Sequence, residues 1–207
     1  MAFKNFKVET DADGIALVTW DIPGRSMNVL DETSTSELEE IVKQTTADAA
    51  VKGVVITSAK DAFCAGADLS MLEGMNKEYA KVLKEQGEVA ANQMLFDQSR
   101  RFSLVLRGIE TCGKPWAAAI NGLALGGGFE VTLSCHYRVA AENPKTRLGL
   151  PEVKVGLFPG AGGTQRVPRL VGVTEALKLI TEGRQLSPAD ALKKGLVHEV
   201  APTAEIV

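Results

Sequence analysis

The sequence predicts an α/β fold with mostly parallel strands, on three observations. Short apolar runs at Gly53–Ser58, Trp116–Ile120 and Tyr137–Ala140 read as buried strands. They alternate with longer stretches of helical periodicity, the pattern of a sheet covered by helices. The 207 residues hold no repeat of fixed period, no low-complexity tract and no interior linker, so residues 1–207 are expected to form one domain.

The elements follow in order. Phe6–Thr10 and Ile15–Trp20 flank a turn at Asp13-Gly14 and read as a β-hairpin, which Pro23-Gly24 ends. A helix starts near Asp31 or Ser34. Leu38, Ile41 and Val42 form its i, i+3, i+4 stripe, and Ser34 and Glu37 have capping-box spacing. After the strand at Gly53–Ser58, helix is expected from about Lys77 to Cys112, with a break. A strand at Trp116–Ile120, a helix over Gly126–Cys135 and a strand at Tyr137–Ala140 come next. Beyond Gly163 the chain turns helical, at Thr174–Glu182 and Ser187–Lys194. The second of these has Ser187 as N-cap, Pro188 at its first position and Gly195 just past its end.

Composition removes several classes of function. Hydrophobic residues make up 45% and charged residues 24%, an ordinary globular balance that supplies a core without staples. A net charge of −3 argues against general nucleic-acid binding, which needs a basic footprint. Cys64, Cys112 and Cys135 are odd in number and irregularly spaced, unlike a disulfide framework or a zinc site, and suit a reducing cytoplasm. The opening MAFKNFKVETDADG lacks the apolar core of a signal peptide. Trp116–Cys135 is the most membrane-like stretch, but Asn121, Glu130 and four glycines make a buried strand, turn and helix the better reading.

Three segments ask for more than packing. In Phe63–Leu69, FCAGADL, the small Ala65, Gly66 and Ala67 let backbone come close to something else, and Asp68 can cap a following helix; a tight turn would read the same. In Asn121–Glu130, NGLALGGGFE, three consecutive glycines cost a helix start about 1 kcal/mol each relative to alanine. Either close packing of helix on strand or an anion site at a helix N-terminus would justify them. In Leu148–Arg166, LGLPEVKVGLFPGAGGTQR, Glu152 follows Pro151 among apolar neighbours. Burial there would raise its pKa, as a general acid/base requires, whereas a solvent-facing turn would not.

Together these segments resemble the crotonase, or enoyl-CoA hydratase/isomerase, superfamily. The resemblance runs from the first hairpin to about Val200 and is most specific over Asn121–Arg166, where both glutamates and PGAGGTQR look like the hydratases. It implies a crotonase-like spiral of ββα units, finished by C-terminal helices, that builds an acyl-CoA pocket. Ala67 and Gly127 match the two backbone N–H positions of the family's oxyanion hole, and Glu130 and Glu152 match its catalytic glutamates. Ser26, Met27, Asn28, Ala65, Gly66, Asp68, Leu69 and Gly126 fall in stretches that line the CoA and thioester site.

The chemistry is coherent without the name. Hydrating a 2-enoyl thioester builds negative charge on the thioester oxygen, which two fixed amides stabilise. One glutamate takes a proton from water attacking C3 while the other supplies a proton to C2. No metal or other cofactor is expected, because coenzyme A arrives as part of the substrate. The expected partner is an acyl-CoA, with neither nucleic acid nor membrane, and a homo-oligomer is expected. Having two carboxylates favours hydratase over Δ3-Δ2-enoyl-CoA isomerase, the second reading; an acyl-CoA-binding module without turnover is the third.

Two features depart from compact hydratases. The stretch from Asp68 to Lys114 is longer, as in the N-terminal part of multifunctional fatty-acid β-oxidation proteins, where a 3-hydroxyacyl-CoA dehydrogenase follows. The chain also stops at Val207, before the family's C-terminal helices, so a truncated domain is expected, with Leu177 and Ile180 left in water.

Competing motifs are weak. GxxxxGK[ST] and G-x-S-x-G are absent, and neither glycine cluster gives GxGxxG between a clear strand and helix. Cys135 and His136 are adjacent, so in extended chain their side chains point opposite ways. His136 and His198 are expected to be structural or solvent-facing.

Overall fold

The computed structural model describes residues 3–207. Met1 and Ala2, with which the N-terminal segment discussed above begins, lie outside them. The hairpin forms as expected from β1 (Phe6–Thr10) and β2 (Ile15–Trp20), around a left-handed Gly14 with φ +87°. Side chains along β2 alternate: Ala16, Val18 and Trp20 are buried, and Ile15, Leu17 and Thr19 half-buried. Trp20 stacks on Phe6 at 5.0 Å and meets the edge of Phe63 at 6.2 Å.

Helix α1 (Glu32–Ala47) buries the expected Leu38, Ile41 and Val42. Its cap is Asp31, whose carboxylate accepts from the Ser34 N–H at 2.7 Å. The capping-box expectation is corrected here: Glu37 faces backward and takes the N–H groups of Lys4 and Asn5. Strand β3 (Gly53–Ser58) lies parallel to β2. The long helical stretch is two helices, α2 (Leu69–Gln86) and α3 (Glu88–Thr111), broken at Gly87 with φ +86°. Helix therefore begins at Leu69 instead of near Lys77, because Asp68 accepts from the Ser70 N–H at 2.9 Å and caps it. The two helices fold back on each other through Tyr79–Asn92 and Glu78–Gln98 contacts.

Then follow β4 (Trp116–Ile120), β5 (Ala124–Leu125), α4 (Gly127–Ser134), β6 (Tyr137–Ala141) and β7 (Leu148–Gly149). A 3-10 turn, Glu152–Val155, leads to α5 (Gly163–Val171), α6 (Val173–Thr181), β8 (Gln185–Leu186), α7 (Pro188–Lys193) and β9 (Glu199–Ala201), and a second 3-10 turn follows at Thr203–Glu205. One sheet has the order β1-β2-β3-β4-β6-β9, all parallel after the hairpin; the other is β5-β7-β8. The short strands β5, β7, β8 and β9 were not anticipated, since two or three residues carry no readable period. Ser187 caps α7 through the Asp190 N–H, as expected. His136 and His198 are structural: each Nδ1 accepts a backbone N–H at 3.1 Å, from Trp116 and Arg138 respectively.

The main core lies between the large sheet and helices α1, α3 and α4. Asn28 links its top edge. Fully buried, it accepts from the Ile22 N–H and donates to Trp20 O, Ser58 Oγ and Phe63 O at 2.9–3.2 Å. Truncating it orphans several buried polar groups, at roughly 1–3 kcal/mol for each one left unsatisfied. Asn28→Ala is therefore expected to lose about 3 kcal/mol of stability. Urea unfolding measures this, and a loss below about 1 kcal/mol would show that the network does not brace the core.

Candidate active site

The site is assembled by backbone before any side chain enters. The segment Cys64–Asp68 runs between two others. On one side Ala65 N–H bonds to Asn28 O, Leu30 N–H to Gly66 O and Asp68 N–H to Leu30 O, at 2.8–2.9 Å. On the other side Cys64 N–H bonds to Leu123 O and Leu125 N–H to Cys64 O, both at 3.0 Å. Groups in extended chain alternate in direction, so the Ala67 N–H points away from the Leu30 ladder. It has no hydrogen-bond partner among the described residues.

The second segment supplies a matching donor. After β5 the chain turns at Gly126, with φ +53°, and enters α4 at Gly127. Gly127 is the first residue of that helix, so its N–H has no carbonyl one turn back; among the described residues it too is unpartnered. The glycine run has different reasons at different positions. At Gly128 the reason is close packing, since a Cβ there would sit 2.6 Å from Cys64 Cβ and O. At Gly126 the strained turn demands glycine, and a Cβ would come within 3.4 Å of Glu152 Oε1.

The carboxylates come from different elements. Glu130 lies in the first turn of α4 and is only 2% exposed. Its Oε1 accepts from the N–H groups of Ala161, at 2.9 Å, and Gly163, at 2.7 Å. Burial raises its pKa, opposed by those two amides and by the charge of Arg166. Glu152 opens the 3-10 turn after Pro151 and is half-buried. Its Oε2 is buried with no partner among the described residues. Burial pushes its pKa up to about 7; its own N–H opposes this and the Glu130 charge adds to it.

Both glutamates and the two residues with unpaired amides, Ala67 and Gly127, line one cavity of about 820 Å³. Of the residues singled out from the sequence, Ala65, Gly66, Ala67, Asp68, Leu69, Gly126, Gly127, Glu130 and Glu152 lie on its wall. Ser26, Met27 and Asn28 do not: Ser26 and Met27 face solvent and Asn28 is sealed in the core, while Arg25, Val29 and Leu30 take the wall positions. Asp68, besides capping α2, pairs with Arg25 at 2.7 Å. Bonds from Ser70 and then Arg25 hold its carboxyl at about 2.

The wall built by α2 and α3, including Met71, Leu72, Met75 and Phe102, was missed from sequence. A signal existed, because α2 carries an apolar stripe yet buries none of its residues in the core. Among the described residues no group of three or more His, Cys, Asp or Glu side chains could hold a metal. Nor is any helix there long and apolar enough to cross a membrane.

The Glu152 environment has a consequence for stability. Its folded-state value of about 7 lies above the ordinary 4.5, so the native state holds the proton more tightly than the unfolded chain. Stability from this group is present at low pH and is lost as pH rises from near 4.5 through about 7. Glu152→Gln has no such loss. Its melting temperature relative to the parent is expected to climb between about pH 5 and pH 8 and level off above. A pH-independent difference would mean that Glu152 titrates normally.

Comparison with known proteins shows the family and the fold. The family model described as enoyl-CoA hydratase/isomerase matches residues 10–207. The fatty acid oxidation complex subunit alpha of Shewanella frigidimarina is 46% identical over 203 residues, 97% of this chain and 26% of that protein. That of Shewanella oneidensis is 44% identical over 201 residues. The chain thus spans about a quarter of the length of the curated relatives it matches. Among solved structures, the enoyl-CoA hydratase from Bacillus anthracis superposes with a TM-score of 0.83 at 35% identity, covering 98% of this chain and 72% of that one. Pseudomonas aeruginosa DspI does so with 0.81 at 32% identity, covering 98% and 75%. The α/β, crotonase-like expectation is borne out by these likenesses, and the chain belongs to the enoyl-CoA hydratase/isomerase family.

Proposed function

We propose that this chain adds water to 2-enoyl-CoA thioesters, giving 3-hydroxyacyl-CoA, as a step of fatty-acid β-oxidation. The observation that carries the reading is the convergence of two unlike carboxylates and two unpaired amides on one cavity. The thioester oxygen accepts from Ala67 and Gly127 N–H, and the dipole of α4 adds to the stabilisation of the enolate. Glu130 is the base: its Oε1 is already held by two amides, which favour its ionised form. It takes a proton from water as the water oxygen bonds to C3. The C2–C3 π electrons move into the enolate, and Glu152 delivers a proton to C2. A value near 7 suits Glu152 to that task at neutral pH.

The apolar wall of Met71, Leu72 and Met75 suits an acyl chain, and Arg25 and Lys154 bring cations towards phosphates of coenzyme A. No metal or redox group is needed for these proton transfers. We further propose that the chain is the hydratase part of a larger β-oxidation protein in which a 3-hydroxyacyl-CoA dehydrogenase follows, that it works in the cytoplasm and that it self-associates. The three cysteines are free, in keeping with a reducing compartment. Leu170, Val173 and Leu177 present exposed apolar surface on α5 and α6, Leu177 being 56% exposed. Ile180, also expected in water, is half-buried against the core.

Loss of the enoyl absorbance of crotonyl-CoA tests the activity directly; conversion of a 3-enoyl-CoA without hydration would favour the isomerase instead. Glu130→Gln and Glu152→Gln are each expected to lower kcat about 100-fold or more, with little change in the binding of a saturated acyl-CoA. Near-normal turnover by either folded variant would remove that glutamate from the reaction. With Glu152 as acid, kcat/KM should fall as pH rises through about 7. A rise over the same range would reverse the two roles.

A further inference from the structure

Glu130 depends on amides that something must aim. The loop Gly160–Gly163 presents the Ala161 and Gly163 N–H groups to its Oε1. The carbonyl of Ala161 points the other way and accepts from Arg166 Nη1 at 2.8 Å. Gly162 turns the chain between the two donors with φ +105°, and the Arg166 guanidinium fills the space where its Cβ would lie. Arg166 is itself held. Its Nε donates to Glu110 Oε1 at 2.7 Å, and Glu110 Oε2 accepts from Arg107 at 3.1 Å. The Arg166 side chain is 13% exposed, so this pair is poorly screened, unlike ordinary surface pairs. Ser103 adds a second tie from α3 to the loop, donating to Gly160 O at 3.3 Å.

We propose that Arg166, gripped by Glu110, is a positioning residue that aims the Ala161 and Gly163 amides at Glu130. This rests on the reading of Glu130 as the base of a hydration reaction, which it deepens. The chain of contacts runs from α3 through one guanidinium to the backbone beside the carboxylate, so α3 contributes to the environment of Glu130 through Arg166. The charge of Arg166, from α5, acts on Glu130, and Glu130 in turn acts on Glu152 of the 3-10 turn. Arg107 and Glu110 reach it through Arg166. Loss of Arg166 removes a positive charge and loosens two amide donors, and both changes favour the protonated carboxyl.

A role confined to bracing α3 against α5 would lower the melting temperature and leave the titration of Glu130 in place. The test is therefore a carboxyl ¹³C NMR titration of Glu130 in the parent, Arg166→Gln and Glu110→Gln, together with pH profiles of crotonyl-CoA hydration. The Glu130 titration and the acid limb of kcat/KM are expected to move to higher pH in Arg166→Gln, and less far in Glu110→Gln. At neutral pH kcat should fall about 10-fold or more while KM stays within about 3-fold. A Glu130 titration unmoved in folded Arg166→Gln would overturn the proposal. Should Arg166→Gln fail to fold, an unmoved titration in Glu110→Gln would do so. The NMR comparison needs no turnover, so a parent protein that does not hydrate crotonyl-CoA would refute the proposed activity while the titration still decides the role of Arg166.

Discussion

Backbone hydrogen bonds that clamp Cys64–Asp68 between Asn28–Leu30 and Leu123–Leu125 set the terms for everything else in this site. Three chain segments meet there without side-chain mediation. The ladder uses the Gly66 carbonyl and the Asp68 N–H on either side of Ala67, and leaves the Ala67 N–H without a partner among the described residues. The same close approach excludes a Cβ at Gly128 and so places the start of α4 against the segment. Two donors are thereby fixed before any ligand arrives, which is the condition for electrostatic stabilisation without reorganisation at the moment of reaction. Asn28 acts from beneath, tying the ends of β2 and β3 to the carbonyl of Phe63.

The carboxylates illustrate how one residue type acquires two characters. Both are raised by burial, yet Glu130 receives two backbone amides and the field of a guanidinium, whereas Glu152 Oε2 has no partner among the described residues. A pair of like groups in unlike surroundings is a common arrangement for dividing acid from base. It has a cost in stability at neutral pH, because an unpaired buried carboxylate opposes folding when ionised. The tight loop Gly160–Gly163 and its anchor on α3 offset part of that cost at Glu130 alone.

Much of this was legible in the sequence, and the gaps have physical causes. The hairpin, the parallel strands and the cap of α7 were readable because each rests on a local pattern: alternation, an apolar run, or Ser187-Pro188 with Gly195. Glu152 stood out because a carboxylate after a proline and among apolar residues needs a reason, and Glu130 came from the family resemblance; the structure puts both on one cavity wall. Asn28 came with the stretch Ser26–Asn28 that the family resemblance offers, but Val29 and Leu30 line the cavity and Asn28 is buried, because a match of stretches does not tell a core amide from a ligand contact. The strands of the small sheet are too short to show a period. Glu37 has the spacing of a capping box, but the backbone of Lys4 and Asn5 captures it, a tertiary competitor invisible to local rules. The α2 wall escaped notice because its apolar stripe faces a cavity instead of the core.

The central claim is that the Ala67 and Gly127 amides polarise a thioester carbonyl. Vibrational difference spectroscopy of a bound, isotopically labelled 2-enoyl-CoA reads that polarisation from the carbonyl stretch. In the Glu130→Gln background, where turnover is expected to be slowed, the stretch is expected at lower frequency than in water. Adding Ala67→Pro, which deletes one donor, should return it part of the way. A bound carbonyl that vibrates as it does in water would contradict the account.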